Sequence, residues 1–358
     1  MGKIRFALIG AGWRAQFFIR IAKALPESFE LTGVLVRDPM KGSAFAENWQ
    51  VKVVSTLEEL LKDSPDFVVL SIRRGEAADY LIRLFRMGVP VLAETPPGET
   101  FEKLNELWRA YEQYQPKVQV AEQYFLQPLY AAWYQAIQEG LIGEVTNISI
   151  SALHGYHAVS MIRRMLGIKG ETCVMYSKRY SFPVTQTYSR AGMTFDGEVT
   201  QCSRDRVVFE FENGKTAFFD FAGSVQYHSF IRTRQLNIQG TRGEIDDLTI
   251  RYLLPSNIPV TEELRRIDLG VYGNQEWAHY GIMLGERFLY QNPFENARLN
   301  DDEIAIAGLL LGMGRYVAGG DEIYPLSQAL QDTYLSLKME EALKTPYQPV
   351  KTLAQIWS

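Results

Sequence analysis

The chain has 358 residues, 46% hydrophobic and 22% charged, with a formal net charge of −5 and both signs spread along its length. That length exceeds one ordinary core and fits two domains of roughly 100–200 residues each, while the acidic balance lacks the basic patch of a nucleic-acid binder and the polybasic run of a membrane-surface protein. The longest apolar stretches, such as Ile304 to Met313, fall well short of the ~20 residues of a membrane-spanning helix, and the start, Met1-Gly2-Lys3-Ile4-Arg5, lacks the long apolar core of a signal peptide. Cys173 and Cys202 make neither a disulfide framework nor a zinc motif and read as buried thiols, so no metal is expected and the protein reads as cytoplasmic.

Lys3 to Ile9 is a β-branched and apolar run that ends at Gly10-Ala11-Gly12. A helical pattern follows from Ala15 to Ala24, then a second apolar run from Phe29 to Val36, which together have the size of one βαβ unit. Asp38 is placed to cap, and Pro39 to open, a helix over Met40 to Asn48. Ser55 and Glu58 have the spacing of a capping box before Leu57, Leu60 and Leu61. Short buried strands are expected over Phe67 to Ser71, Val89 to Ala93 and Lys117 to Ala121, with helices over Ala77 to Met87 and Thr100 to Tyr111 between them. Such alternation predicts an α/β Rossmann domain with a doubly wound parallel sheet.

The remainder reads as α+β. Leu129 to Glu139 and Ala158 to Leu166 are helical, with a strand over Val145 to Leu153 between them. Strand-like runs cover Glu171 to Tyr180, Arg206 to Glu212, Thr216 to Phe221 and Thr233 to Gln239, and Asn213-Gly214 is a hairpin signal. Helices near Asp301 to Gly312 and Ser327 to Leu343 close the chain. The boundary falls near Ala121–Pro128, giving a dinucleotide-binding domain over 1–122 and a substrate-binding domain with a mainly antiparallel sheet over 123–358. Arg163-Arg164 reads as a solvated helix face, and the aromatic stretch Tyr176 to Tyr188 fits either a sugar site or core and interface.

Gly10-Ala11-Gly12-Trp13-Arg14-Ala15 matches G-x-G-x-x-A between a strand and a helix. The first glycine permits a tight turn, the second lets the backbone approach a pyrophosphate, and the small third residue lets helix and strand pack closely. The helix start adds free N–H groups and a partial positive charge for phosphates. The residues after the second strand, which face the adenosine ribose, are Val36 and Arg37; Asp38 is assigned to capping. Arg37 can meet a 2′-phosphate or stack on adenine, which favours NADP over NAD. Ser71, Arg73 and Arg74 come at the carboxyl end of the fourth strand, where the ligand crevice opens, and the arginines suit an anionic group on cofactor or substrate.

The chain resembles the glucose–fructose oxidoreductase/inositol dehydrogenase/MocA (Gfo/Idh/MocA) family over nearly its whole length. The resemblance rests on the Gly10-to-Ala15 turn, Glu94-Thr95-Pro96, Gly140-Leu141-Ile142-Gly143-Glu144-Val145, Gly155-Tyr156-His157 before Met165-Leu166-Gly167, and Gly240-Thr241-Arg242-Gly243-Glu244, in that order. It implies a Rossmann domain followed by an α/β domain with a large open sheet that commonly forms an oligomer interface, here in a homodimer or homotetramer. It also implies NAD(P)-dependent oxidation or reduction of sugars, polyols or related small molecules. The family's Glu-Lys-Pro motif is Glu94-Thr95-Pro96, and its aspartate four residues before the histidine is Leu153. Thr95 donates a hydrogen bond but cannot do a lysine's acid/base work. The resemblance further implies a cis Thr95-Pro96 peptide, a polar contact from Gln123 beside the nicotinamide, and His157 in the active site.

Oxidising an alcohol needs a base for the O–H proton and a nicotinamide for the hydride. As a residue type histidine suits the first task, so His157 is the expected acid/base group, with Tyr156 as its partner and His154 nearby. Two other readings stay open. One is a dinucleotide-binding sensor or co-regulator without dehydrogenase activity; the other is a redox-neutral enzyme that holds its NAD tightly.

Overall fold

The computed structural model describes residues 2–189, 192–228, 230–271 and 273–358. Its first third alternates strands and helices: β1 (Ile4–Ile9), α1 (Ala15–Ala24), β2 (Phe29–Leu35), α2 (Pro39–Trp49), β3 (Val53–Val54), α3 (Leu57–Leu61), β4 (Phe67–Leu70), α4 (Arg74–Arg86), β5 (Val91–Ala93), α5 (Phe101–Tyr114) and β6 (Val118–Val120). Among the described residues these strands form a six-stranded sheet in the order β3-β2-β1-β4-β5-β6, paired in parallel throughout. The central strand β4 is Phe-Val-Val-Leu with all four residues buried, because helices cover both faces and leave no side for polar groups. The strand order reverses between β1 and β4, and that is where a ligand crevice opens beyond the carboxyl ends.

Asp38 caps α2 as its sequence predicts: Oδ1 accepts from the backbone N–H of Met40 and of Lys41. The N-cap of α3 lies one residue later than predicted. Thr56, rather than Ser55, accepts from the Glu59 N–H at 3.2 Å, and the Glu59 carboxylate reaches back to the Ser55 N–H.

The rest of the chain contains α6 (Pro128–Gln138), β7 (Val145–Ser151), α7 (Gly155–Leu166), β8 (Cys173–Thr185), β9 (Tyr188–Ser189), β10 (Gly192–Met193), β11 (Val199–Phe211), β12 (Thr216–Phe221) and α8 (Gly223–His228). It continues with β13 (Gln235–Gly240), β14 (Gly243–Asp246), β15 (Thr249–Leu253), β16 (Pro259–Val271), β17 (Asn274–Leu284), β18 (Arg287–Gln291), α9 (Asp301–Val317), α10 (Leu326–Lys344) and β19 (Val350–Lys351). Among the described residues, eleven strands form one sheet in the order β18-β17-β16-β15-β14-β13-β7-β12-β11-β8-β19. Only the β7–β12 pair is parallel; Asn213-Gly214 turns β11 into the antiparallel β12. The five strands from β14 to β18 have no counterpart in the strand runs read from the sequence.

Alternation sorts this sheet's side chains. Val207, Phe209, Ala217, Phe219, Leu236 and Ile238 are buried on the face that carries α7 and α10, whereas Tyr176, Tyr180, Phe182 and Phe218 stand exposed on the other. Val208 lies opposite both Tyr176 and Phe218 in the ladder, so the outer row is apolar across three strands. Helix α9 returns to the first sheet, packing on α1, β1 and β4. No helix among the described residues is long and apolar enough to cross a membrane.

One reading is corrected. Arg163 does not lie on a solvated face: it is 2% exposed and pairs with the fully buried Asp332 of α10, which also accepts from the Tyr324 hydroxyl. The Arg164 guanidinium lies over the rings of Phe125 and Tyr134, at 3.9 and 4.6 Å from their centroids. Helix α7 is covered by α10 on one side and by the 3₁₀ turn over Tyr124–Leu126 on another, and short-range pattern does not register such burial.

Candidate active site

The turn after β1 is shaped by two glycines with different reasons. Gly10 has φ +113°, and a Cβ there would stand 2.0 Å from the Ser71 carbonyl oxygen at the end of β4. Only glycine lets the two central strands end so close together. Gly12 has no such constraint, and a Cβ there would meet nothing within 4 Å apart from its own residue and its two chain neighbours. It opens onto a cleft of about 680 Å³ lined by Gly10, Gly12, Trp13, Arg14, Ser71 and Arg73 among others. That volume is in the range of cofactor pockets. The Trp13 side chain is 58% exposed, edge-on to Phe17.

Arg14 turns away from the role of a lone cation. Its Nε donates to Glu94 Oε1 at 3.2 Å and its Nη1 to Asp302 Oδ2 at 2.8 Å. Burial works to lower the guanidinium's pKa, but the two carboxylates hold it above the usual value. Burial pushes the Glu94 carboxyl up, with Arg14 and the Thr95 N–H opposing it. Asp302, in the first turn of α9, also accepts from Gln123 Nε2 at 3.3 Å and Gln127 Nε2 at 3.2 Å. Arg14, Glu94 and Gln123 are thus joined through Asp302. The Gln123 Oε1 is buried and has no partner among the described residues. Arg37 pairs with Glu76 of α4 at 2.6 Å, and both line the cleft.

Arg73 and Arg74 go separate ways. Arg73 is the N-cap of α4 and lines the first cleft, whereas Arg74 begins the helix and lines a second cleft of about 630 Å³. Thr95, Pro96, His154, Tyr156 and His157 line that second cleft too, and the Thr95–Pro96 peptide is cis. Helix α7 starts at Gly155, earlier than the predicted Ala158, which puts Tyr156 and His157 in its first turn. His154 is its N-cap, with its ring centroid 5.1 Å from that of His157.

His157 Nδ1 lies 2.7 Å from Oε2 of Glu122, a carboxylate with no exposed surface whose Oε1 accepts from the Tyr124 N–H. With Nδ1 committed to the carboxylate, the ring nitrogen left for another partner is Nε2. Tyr156 is 7% exposed and its hydroxyl has no partner among the described residues. Burial, then the neighbouring Tyr324 and Asp332, push that phenol well above its ordinary pKa, so it stays protonated. Leu153 is packed in the core. Sequence reasoning missed Glu122 and Asp302. Glu122 lies two residues past the end of β6, so the rule that drew attention to Arg73 also applies to it; Asp302 has no local signal.

Residues 4–122 match the model of the GFO_IDH_MocA family, described as an oxidoreductase family with an NAD-binding Rossmann fold. YteT of Bacillus subtilis (strain 168), provisionally named an oxidoreductase, is 27% identical over 169 residues, or 44% of this chain and 40% of that protein. The match spans well under two thirds of that relative's length. Among solved structures, an oxidoreductase from Sinorhizobium meliloti superposes with a TM-score of 0.70 at 14% identity, covering 98% of this chain and 100% of the other. An oxidoreductase from Agrobacterium radiobacter, in complex with NAD+, L-tartaric acid and magnesium, gives 0.66 at 15% identity over 96% of each chain. The apo scyllo-inositol dehydrogenase of Lactobacillus casei gives 0.65 at 14% identity over 98% of each. These structures share both the parallel sheet and the large mixed sheet. The likeness to the GFO_IDH_MocA oxidoreductase family, with its NAD-binding Rossmann fold, is carried by residues 4–122, and over the rest of the chain the solved structures show a shared fold.

Proposed function

We propose that the protein is an NAD(P)-dependent oxidoreductase acting on a sugar, a polyol or a related small molecule, with His157 as its proton-transfer group. One observation carries the reading: the consecutive residues Arg73 and Arg74 line two neighbouring clefts, one beside the glycine turn and one beside His157. The first fits a dinucleotide because Gly12 leaves open the space that any side chain would fill. Gly10, Gly12, Trp13, Ser71 and Arg73 would hold it, with the Arg14–Glu94–Gln123 network at its nicotinamide end. Bound there, the cofactor supplies hydride acceptance or donation. In this reading residues 1–122 hold the dinucleotide and residues 123–358 supply most of the substrate cleft.

The chain's own groups divide the remaining work. Nδ1–H of His157 donates to Glu122, which leaves Nε2 as the acceptor for an alcohol proton. Thr95 offers a hydrogen bond to substrate oxygens, and Tyr156, whose hydroxyl is buried, contributes to the cleft wall. The mixed polar lining of the second cleft, with Arg74, Ser203, Asp205 and Ser336, suits a ligand rich in hydroxyls. The apolar outer row Tyr176, Val208, Phe218 suits pairing with a second copy, as a dimer or tetramer. The free, buried Cys173 and Cys202 suit the reducing cytoplasm.

Thr95 and Leu153 favour a second reading, a dinucleotide-binding sensor, because they remove a charge and a carboxylate from the cleft. A panel of sugars and polyols with NAD and NADP, followed by nicotinamide absorbance, separates the two. The enzyme reading expects turnover that His157→Asn lowers by about 10²–10⁴-fold with unchanged dinucleotide affinity. Turnover indifferent to that change removes His157 from the chemistry, and binding without any turnover favours the sensor.

A further inference from the structure

We infer that Glu76 decides between NAD and NADP, and that it selects the dinucleotide whose adenosine ribose carries free hydroxyls. The inference rests on the proposed dinucleotide site and adds what reads its adenosine end. In a doubly wound sheet the residues after the second strand face that ribose. Here Val36 has no polar side chain, and Asp38 spends Oδ1 on the N–H groups of Met40 and Lys41. Arg37 alone would favour a 2′-phosphate. It is not alone, because its Nη2 lies 2.6 Å from Oε2 of Glu76, which lines the same cleft.

Glu76 sits in the first turn of α4, whose start at Arg74 fixes where its carboxylate emerges. A phosphate dianion arriving beside Arg37 meets a neutralised cation and an adjacent like charge. Ribose hydroxyls meet an acceptor in Glu76 and a donor in Arg37, which is what a hydroxyl needs. The pair is well exposed, at 68% and 45%, so its effect is subject to screening by salt.

The test is a fluorescence titration of wild type and Glu76→Gln with NADH and with NADPH, at low and high salt. Wild type is expected to bind NADH more tightly. Glu76→Gln is expected to raise the NADPH-to-NADH affinity ratio by roughly tenfold at low salt, since one like charge at contact range is removed, and by less at high salt. Adding Arg37→Gln to that variant should abolish the gain. Binding of both cofactors with an unchanged ratio, or a wild type that prefers NADPH, overturns the role of Glu76 while leaving the dinucleotide site standing. Failure of wild type to bind either cofactor overturns both.

Discussion

The His157 ring nitrogen Nδ1 lies 2.7 Å from Oε2 of Glu122, and the two residues come from different parts of the chain, the first turn of α7 and the segment after β6. The family resemblance leads one to look for a carboxylate at position 153, two residues past the end of β7 and four before the histidine. Leu153 fills that position with apolar packing, and Glu122 brings a carboxylate to the imidazole from the edge of the Rossmann sheet.

Glu122→Gln should therefore lower kcat by about 10²-fold or more, as losing the carboxylate that fixes a catalytic histidine's tautomer does elsewhere, with dinucleotide affinity unchanged. Glu122→Asp should restore part of the loss. The distinguishing readout is the ¹⁵N spectrum of His157, which should change from a single Nδ1–H form to a mixture of tautomers. An unaltered spectrum with unaltered kcat would leave Glu122 as a structural residue.

Arg163 and Asp332 tie α7 to α10 beneath the candidate site. Arg163→Ala leaves the Asp332 carboxylate buried without its cation, so it should destabilise the fold by about 3–5 kcal/mol. Urea unfolding followed by circular dichroism measures this. The double change Arg163→Met with Asp332→Leu should recover much of the loss, because the desolvation cost of both charges goes with them. A single-variant effect below about 1 kcal/mol would mean that Asp332 gives up its charge at little cost.

Burial raises the phenols of Tyr156 and Tyr324 well above their ordinary pKa. Above about pH 10 the unfolded chain loses these protons while the folded chain keeps them, so the folded state binds more protons and stability falls as pH rises. The slope should reach about 1.4 kcal/mol per pH unit for each phenol. Tyr156→Phe should make alkaline unfolding shallower by one proton, and a slope identical to wild type would contradict the burial of that hydroxyl.

The Rossmann half was legible because each strand there is a short apolar run and each helix carries its own signals, such as Asp38-Pro39 and the glycines after Ile9. Strands β14 to β16 were not, because polar residues interrupt the apolar ones along each and leave no continuous run. The same contrast holds at the site. Gly10, Gly12 and His157 stand in local motifs. Arg14 carries no mark of its partner Asp302, which lies 288 residues further along the chain, and the burial of Arg163 depends on a helix near the other end. Contacts between distant segments leave no periodicity at either one.

The central claim, a nicotinamide dinucleotide held along Gly10–Arg14, is tested most directly by titrating NADH into wild type and Gly12→Val while following cofactor fluorescence. Apart from its own residue and its two chain neighbours, nothing lies within 4 Å of a Cβ at Gly12, so the variant should keep the circular dichroism spectrum and melting temperature of wild type. The account predicts saturable NADH binding to wild type and its loss in the variant, because the valine side chain takes the pyrophosphate's space. Equal affinity in the two proteins, or no binding by wild type, would contradict it.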